Sequence, residues 1–163
     1  MPSRSGPVIL IAEDDEDDVF MLQRALEQTT PSVPFYVVAN GEQAIAYLKG
    51  TGQFANRVDY PLPDLLLLDL KMPRNDGFEV LEWLRAHPDL AAIRVVVLTS
   101  SEDTRSIDRA YRLGAASVFV KPVNFNQLRD GISAMINYWR SNQLRRNPRD
   151  SNGSGLRNDA SSI

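Results

Sequence analysis

Five short apolar runs alternate along the chain with stretches in which apolar residues recur every three or four positions. The runs cover residues 8–12, 33–39, 65–68, 95–98 and 117–120. Uninterrupted apolar runs of this length are typical of strands that are buried on both faces. The stretches between them have the period of amphipathic helices. Five strand–helix repeats predict a parallel sheet covered by helices on both faces, which is an α/β doubly wound fold.

The third run ends directly in a carboxylate. Four leucines at residues 65–68 precede Asp69, and the bounding residues Pro63 and Pro73 leave too little room for a helix. The run therefore predicts a central strand with Asp69 at its carboxyl end, which is the edge where open α/β sheets bind ligands. Taken alone, Asp69 fits equally well as the first residue of a turn.

Domain organisation follows from the same pattern. We expect a flexible N-terminus at residues 1–7, a folded domain at 8–140, and a disordered polar tail at 141–163, where aromatic residues disappear and Asn, Ser, Gly and Arg dominate. Pro34 places the second strand near an edge of the sheet. Residues 51–63 are long for a loop in such a fold, and the pattern assigns them no role.

Composition narrows the chemistry. The chain has 163 residues with 43% hydrophobic content, no cysteine and one histidine, His87. These counts exclude thiol catalysis and zinc–thiolate sites and argue against a Ser-His-Asp triad. The formal net charge of −3 gives no general attraction to nucleic acid or membranes. No apolar run has the length of a membrane span. We therefore expect a cytoplasmic protein that binds neither nucleic acid nor membranes.

Four of the predicted strands end in polar side chains, which parallel packing brings to one edge of the sheet. These are Glu13 with Asp14, Asp69, Thr99 with Ser100, and Lys121. Each has an ordinary explanation as a cap, turn or surface residue, but their joint placement predicts a site. The acids at residues 15–18 are explained by the positive end of the following helix.

Three carboxylates at one edge repel one another unless a cation joins them. Oxygen ligands select a hard cation, Mg²⁺ or Mn²⁺ in its place. A metal that prefers phosphate oxygens, beside a nucleophilic Asp69, indicates an aspartyl-phosphate. Lys121 and the Thr99 hydroxyl would then bind the phosphoryl oxygens.

With these residues the chain resembles a response-regulator receiver domain of two-component signalling. The residues that carry the resemblance are Glu13, Asp14, Asp69, Met72, Pro73, Gly77, Thr99, Lys121 and Pro122. The resemblance implies a flavodoxin-like fold with strand order 2-1-3-4-5 and phosphorylation of Asp69 by a histidine kinase or phosphotransfer protein. It also implies that Asp14, Asp69 and the Lys71 carbonyl hold Mg²⁺, with Glu13 close by.

The family pattern assigns roles to further positions. Thr99 and Ser100 follow the fourth strand in the phosphoryl-binding region, while Lys71 and Ser101 flank the site and tune the lifetime of the phosphoryl group. Many receivers have an aromatic ring three residues before the lysine, where this chain has Val118. The usual threonine–aromatic switch is therefore not expected here.

The resemblance also suggests partners. The chain is similar to single-domain receivers associated with bacterial phytochromes, so the kinase is expected to be of phytochrome type. Kinase docking would use residues 20–24 and the Pro122–Val123 loop, and homodimers would form through the face made by the fourth helix, fifth strand and fifth helix.

Three other functions remain open at this point. An Asp-nucleophile phosphatase would need an acid where Lys71 stands. A flavin or nucleotide binder would need a glycine- or hydroxyl-rich loop where residues 13–18 are acidic. A receiver that no longer takes phosphate would act as an interaction module. We expect a phosphoacceptor rather than a turnover enzyme.

Overall fold

The computed structural model describes residues 7–72, 76–100 and 102–145, with the side chains of 143–145 left aside. Two 3₁₀ turns, Gly52–Phe54 and Pro88–Leu90, lie in connections. The strands and helices are β1 Ile9–Ala12, α1 Glu16–Thr29, β2 Phe35–Val38, α2 Gly41–Lys49, β3 Leu65–Asp69, α3 Gly77–Arg85, β4 Arg94–Thr99, α4 Thr104–Arg112, β5 Ser117–Val120 and α5 Phe125–Arg145.

The five strands form one parallel sheet in the order β2-β1-β3-β4-β5. This confirms the predicted fold class and strand order. β2 lies at an edge, as Pro34 predicted. Because β3 is central, its leucines are buried on both faces: Leu66 and Leu68 pack toward α2 and α3, whereas Leu65 and Leu67 pack toward α1 and α5. The continuous leucine run therefore serves two cores at once.

Helix α5 continues to Arg145, five residues past the domain boundary predicted at residue 140. The pattern placed the boundary where apolar residues become sparse, but α5 extends beyond them as a polar helical end. The described residues do not include 1–6 of the N-terminus predicted at 1–7, nor 146–163, the rest of the predicted tail. For these residues the predictions stay predictions.

The segment between α2 and β3, which the pattern left without a role, packs on the domain. Phe54 packs a tilted ring and Tyr60 an edge-on ring against Tyr47 of α2, with ring centroids 5.1 and 5.9 Å from that of Tyr47. The Arg57 guanidinium donates to the carbonyls of Tyr47 and Leu48, each at 2.8 Å. These bonds give a charged donor to two carbonyls in the last turn of α2, where the Tyr47 carbonyl also accepts from the Gly50 N–H at 3.1 Å.

Candidate functional site

Strand register brings the acidic residues together. Ala12 of β1 is opposite Leu68 of β3, so the next residue on each strand places Glu13 beside Asp69. Carboxylate oxygens of Glu13, Asp14 and Asp69 all lie within 4.8 Å of one another. Glu13 and Asp69 are buried, whereas Asp14 is exposed. This set of oxygen atoms suits a hard divalent cation.

The same register brings in the two remaining strand ends. Thr99 of β4 is opposite Val120 of β5, and the Lys121 N–H donates to the Thr99 carbonyl at 2.7 Å. Thr99 is buried, with 2% of its surface exposed. Thr99, Asp14 and Lys71 line one open hollow of about 540 Å³ at this edge of the sheet. A phosphoryl group on Asp69 would therefore have both the acids and the threonine around it.

Lys121 reaches the acids from the other side. Its Nζ donates to Glu13 Oε2 at 2.6 Å and lies 3.8 Å from Asp69 Oδ1. A third carboxylate, Asp18 of α1, accepts from the same Nζ at 2.8 Å. Only 17% of the Lys121 side chain is exposed, so the ammonium has little contact with water.

Burial governs the protonation of the buried acids. It raises the pKa of Glu13 from 4.5 to about 7, although the hydrogen bond from Lys121 opposes the change. Burial likewise raises the pKa of Asp69, against the charge of Lys121 and the N–H of Lys71. For Lys121, burial acts to lower the pKa, but hydrogen bonds to Asp18 and Glu13 outweigh it and the pKa is raised. The pocket thus holds more buried carboxylate than one ammonium neutralises, which is the electrostatic condition that favours a cation.

The other predicted positions are placed as follows. The Lys71 N–H donates to Asp69 Oδ1 at 3.3 Å, while the residue itself is exposed. Ser100 is exposed, directly after β4. Ser101 lies outside the described residues, so its tuning role stays a prediction. The Val118 N–H donates to the hydroxyl of Tyr111 at 3.2 Å.

Asp18 is the site residue that sequence reasoning missed, because its charge was attributed to the helix end. The N-cap of α1 is Asp15, whose side chain accepts from the N–H groups of Asp17 and Asp18. Asp18 stands four residues before the buried Leu22, so it lies on the apolar face of the helix. An acid on that face was the signal that could have found it.

Comparison with known proteins gives a consistent result. Residues 9–133 match the family described as the response regulator receiver domain. Response regulator Rcp1 of Synechocystis sp. is 33% identical over 141 residues, which cover 85% of this chain and 94% of that protein. Solved structures of phytochrome and bacteriophytochrome response regulators are also similar to this chain, which confirms the predicted similarity to phytochrome-associated receivers.

Solved structures agree with the sequence relatives. The phosphorylated cyanobacterial phytochrome response regulator RcpA superposes with a TM-score of 0.77 at 34% identity, covering 85% of this chain and 96% of that one. The Mn²⁺-bound form of Rcp1 gives a TM-score of 0.73 at 32% identity, covering 82% and 94%. Within the described residues, no helix is long and apolar enough to cross a membrane. Because the family match covers residues 9–133 and the relatives agree with it, the chain belongs to the response regulator receiver domain family.

Proposed function

We propose that the protein is a single-domain response regulator that accepts a phosphoryl group on Asp69 from a histidine kinase and signals through protein contacts. The observation that carries the proposal is the position of the Asp69 carboxylate. It lies at the end of a rigid central strand, within 4.8 Å of two other carboxylates and 3.8 Å from the Lys121 ammonium. Family membership and the phytochrome-associated relatives support it.

In the transfer step, an Asp69 carboxylate oxygen attacks the phosphorus of a phosphohistidine. The new P–O bond forms as the P–N bond breaks, and the electron pair of that bond leaves with the imidazole nitrogen. Lys121 pairs with the phosphoryl oxygens, where negative charge is greatest, and the Thr99 hydroxyl donates to one of them. Water later attacks the acyl phosphate, which restores the Asp69 carboxylate and releases inorganic phosphate.

The residues present fit a divalent cation. Asp14, Asp69 and the Lys71 carbonyl would hold Mg²⁺, or Mn²⁺ in its place, with Glu13 beside it. The bound ion would offset the negative charge shared by the carboxylates and the phosphoryl group. Burial raises the pKa of Glu13 and the charge of Asp69 adds to the rise, so a cation beside the two carboxylates would favour their ionised forms.

The surface beside the site supports docking of a kinase. Phe20 of α1 is 60% exposed, and Val123, in the loop after β5, is fully exposed. Between them lies a hollow of about 210 Å³, lined by apolar residues such as Met21 and Phe125. A phytochrome-type kinase is the partner that the relatives suggest. Dimerisation through α4, β5 and α5 stays a prediction, as does the cytoplasmic location.

Incubation with Mg²⁺ and acetyl phosphate tests the proposal, with intact-protein mass spectrometry as the readout. The wild type should gain one phosphoryl group and Asp69→Asn none. Asp89→Asn, at an exposed carboxylate in a distant 3₁₀ turn, is the matched control and should be labelled like the wild type. Equal labelling of Asp69→Asn and wild type would refute the assignment of Asp69, and an unlabelled wild type would favour a receiver that no longer takes phosphate.

A further inference from the structure

The Lys121 ammonium bonds to Asp18, a carboxylate that is not among the residues proposed to bind the metal or the phosphoryl group. Two of its three N–H bonds point to Glu13 at 2.6 Å and Asp18 at 2.8 Å. Asp69, the proposed phosphoacceptor, lies at 3.8 Å, which is an ion-pair distance but beyond a hydrogen bond. In this arrangement the lysine is held beside the phosphoryl position rather than in it.

The Asp18 bond joins two parts of the fold that are distant in sequence. Asp18 lies in the first turn of α1, and Lys121 follows the last residue of β5. The helix fixes the direction of the Asp18 side chain, because Asp15 caps this turn and Leu22 anchors the same face in the core. The carboxylate is therefore presented to Lys121 by a rigid element.

We propose that Asp18 is a positioning residue that holds Lys121 in the unphosphorylated protein and competes with the phosphoryl group for it. The inference rests on the proposed function of Asp69. The third N–H can turn toward the phosphoryl group, but Asp69 lies 3.8 Å away, so the ammonium moves toward the new oxygens and lengthens one of its two existing bonds. Glu13 is fully buried, so leaving it unpaired is costly, whereas 42% of the Asp18 side chain is exposed and water replaces the lost bond. The Asp18 bond is the one that yields.

This exchange has a consequence at the protein surface. Asp18 and Lys121 both line the hollow between α1 and the loop after β5, together with Met21, Val123 and Phe125. When the ion pair opens, the charged rim of that hollow changes and α1 loses its ion pair with the residue that follows β5. The phosphorylation state thus reaches the face proposed for kinase docking without an aromatic ring at Val118.

Labelling kinetics with acetyl phosphate in Mg²⁺ test the inference. An Asp69 oxygen forms the new bond to phosphorus as the P–O bond to acetate breaks and acetate leaves with the electron pair, so Asp18 takes no part in the bond changes. Asp18→Asn should raise the labelling rate about two- to fivefold, the factor that corresponds to a partly exposed ion pair. Asp18→Glu should restore a rate close to that of the wild type, because it keeps the charge.

Two comparisons separate competition from a general effect of charge or folding. Asp17→Asn removes one charge from the same exposed helical turn and should leave the rate unchanged. Thermal unfolding identifies a variant that does not fold, and Asp18→Ser then provides a second uncharged replacement.

The outcomes are distinct. An unlabelled wild type would refute the proposed function, and this inference with it. A wild type that is labelled at the same rate as Asp18→Asn would refute the inference alone. An equal rise in Asp17→Asn would also overturn it.

Discussion

Replacing Glu13 with Gln should remove a large part of the pH dependence of stability in the metal-free protein. The Glu13 side chain is fully buried, and burial raises its pKa from 4.5 to about 7. A carboxyl whose pKa is raised in the folded state contributes stability that is fully present below its unfolded pKa and is lost as the pH rises through the folded value. Glu13 therefore destabilises the fold progressively from about pH 4.5 to about pH 7.

The magnitude follows from the two pKa values. The difference between 4.5 and about 7 corresponds to about 3 kcal/mol in the free energy of unfolding. Asp69, whose pKa is also raised by burial, adds a dependence of the same sign. Because a hydrogen bond from the Glu13 side chain influences the pKa of Asp69, the substitution changes this contribution too, and the measured difference reports on both carboxyl groups. Loss of the Glu13–Lys121 ion pair changes the absolute stability of the variant. The measured quantity is therefore how the difference between the two proteins changes with pH.

Urea unfolding in the presence of a chelator, from about pH 5 to about pH 8, measures this difference. Over this range the stability of Glu13→Gln relative to the wild type should increase by about 2–3 kcal/mol, because part of the change lies below pH 5. Glu42→Gln, at an exposed position in the first turn of α2, should follow the wild type throughout. Added Mg²⁺ should stabilise the wild type most at the upper end of the range, where the carboxylates are ionised.

A difference that stays constant with pH would refute this reasoning. It would show that Glu13 is ionised with an ordinary pKa, and hence that the Lys121 ammonium fully offsets the cost of burying the carboxylate. The pocket would then have no electrostatic need for a cation, and the argument for metal binding from the chemistry of the site would fail.

Two further predictions concern the residues that support the site and the segment beside it. A Cβ at residue 77 would lie 2.5 Å from the Asp69 carbonyl oxygen. Gly77→Ala should therefore lower the free energy of unfolding in urea by about 1–3 kcal/mol and slow labelling by acetyl phosphate. Unchanged stability and labelling would show that the backbone moves to make room for the Cβ. Arg57→Gln should cost about 2 kcal/mol in thermal unfolding while labelling of Asp69 is unchanged, because two carbonyls of α2 lose a charged donor. Arg57→Lys should recover only part of that loss, and an unchanged midpoint in Arg57→Gln would contradict the capping role.

The sheet was predictable because the uninterrupted apolar residues of its strands indicate that these strands are buried on both faces. Leu65 to Leu68 alternate between two hydrophobic clusters, one on each face of the sheet, so all four positions are apolar. The Asp69 carboxylate that follows them therefore stands out in the sequence. Parallel pairing then brings the other strand ends to the same edge. These steps need only the period of a strand and the direction of its neighbours, which is why the amino-acid pattern alone could bring Glu13, Asp69 and Lys121 together.

Contacts between distant segments were not predictable in the same way. The Arg57 guanidinium caps α2 because a long connection folds back on it, and no local pattern encodes that return. Asp18 was misjudged for a related reason: an acid in the first turn of a helix has a sufficient local explanation. Its bond to Lys121 spans 103 positions of the chain, so only the fold reveals it.

The shortage of positive charge links the metal, the phosphoryl group and Lys121. In the metal-free pocket one ammonium pairs with three carboxylates, those of Glu13, Asp18 and Asp69. Burial raises the pKa values of Glu13 and Asp69, although Lys121 opposes the rise in both. A divalent cation among the acids would weaken the attraction between their carboxylates and Lys121. A phosphoryl group on Asp69 would then attract the ammonium away from Asp18, its more exposed partner. Loss of the cation should therefore leave Lys121 more firmly held by Glu13 and Asp18 and less able to reach the phosphoryl group. On this reasoning the cation affects phosphorylation partly through the lysine, so removing the Asp18 carboxylate should make labelling less sensitive to a low Mg²⁺ concentration.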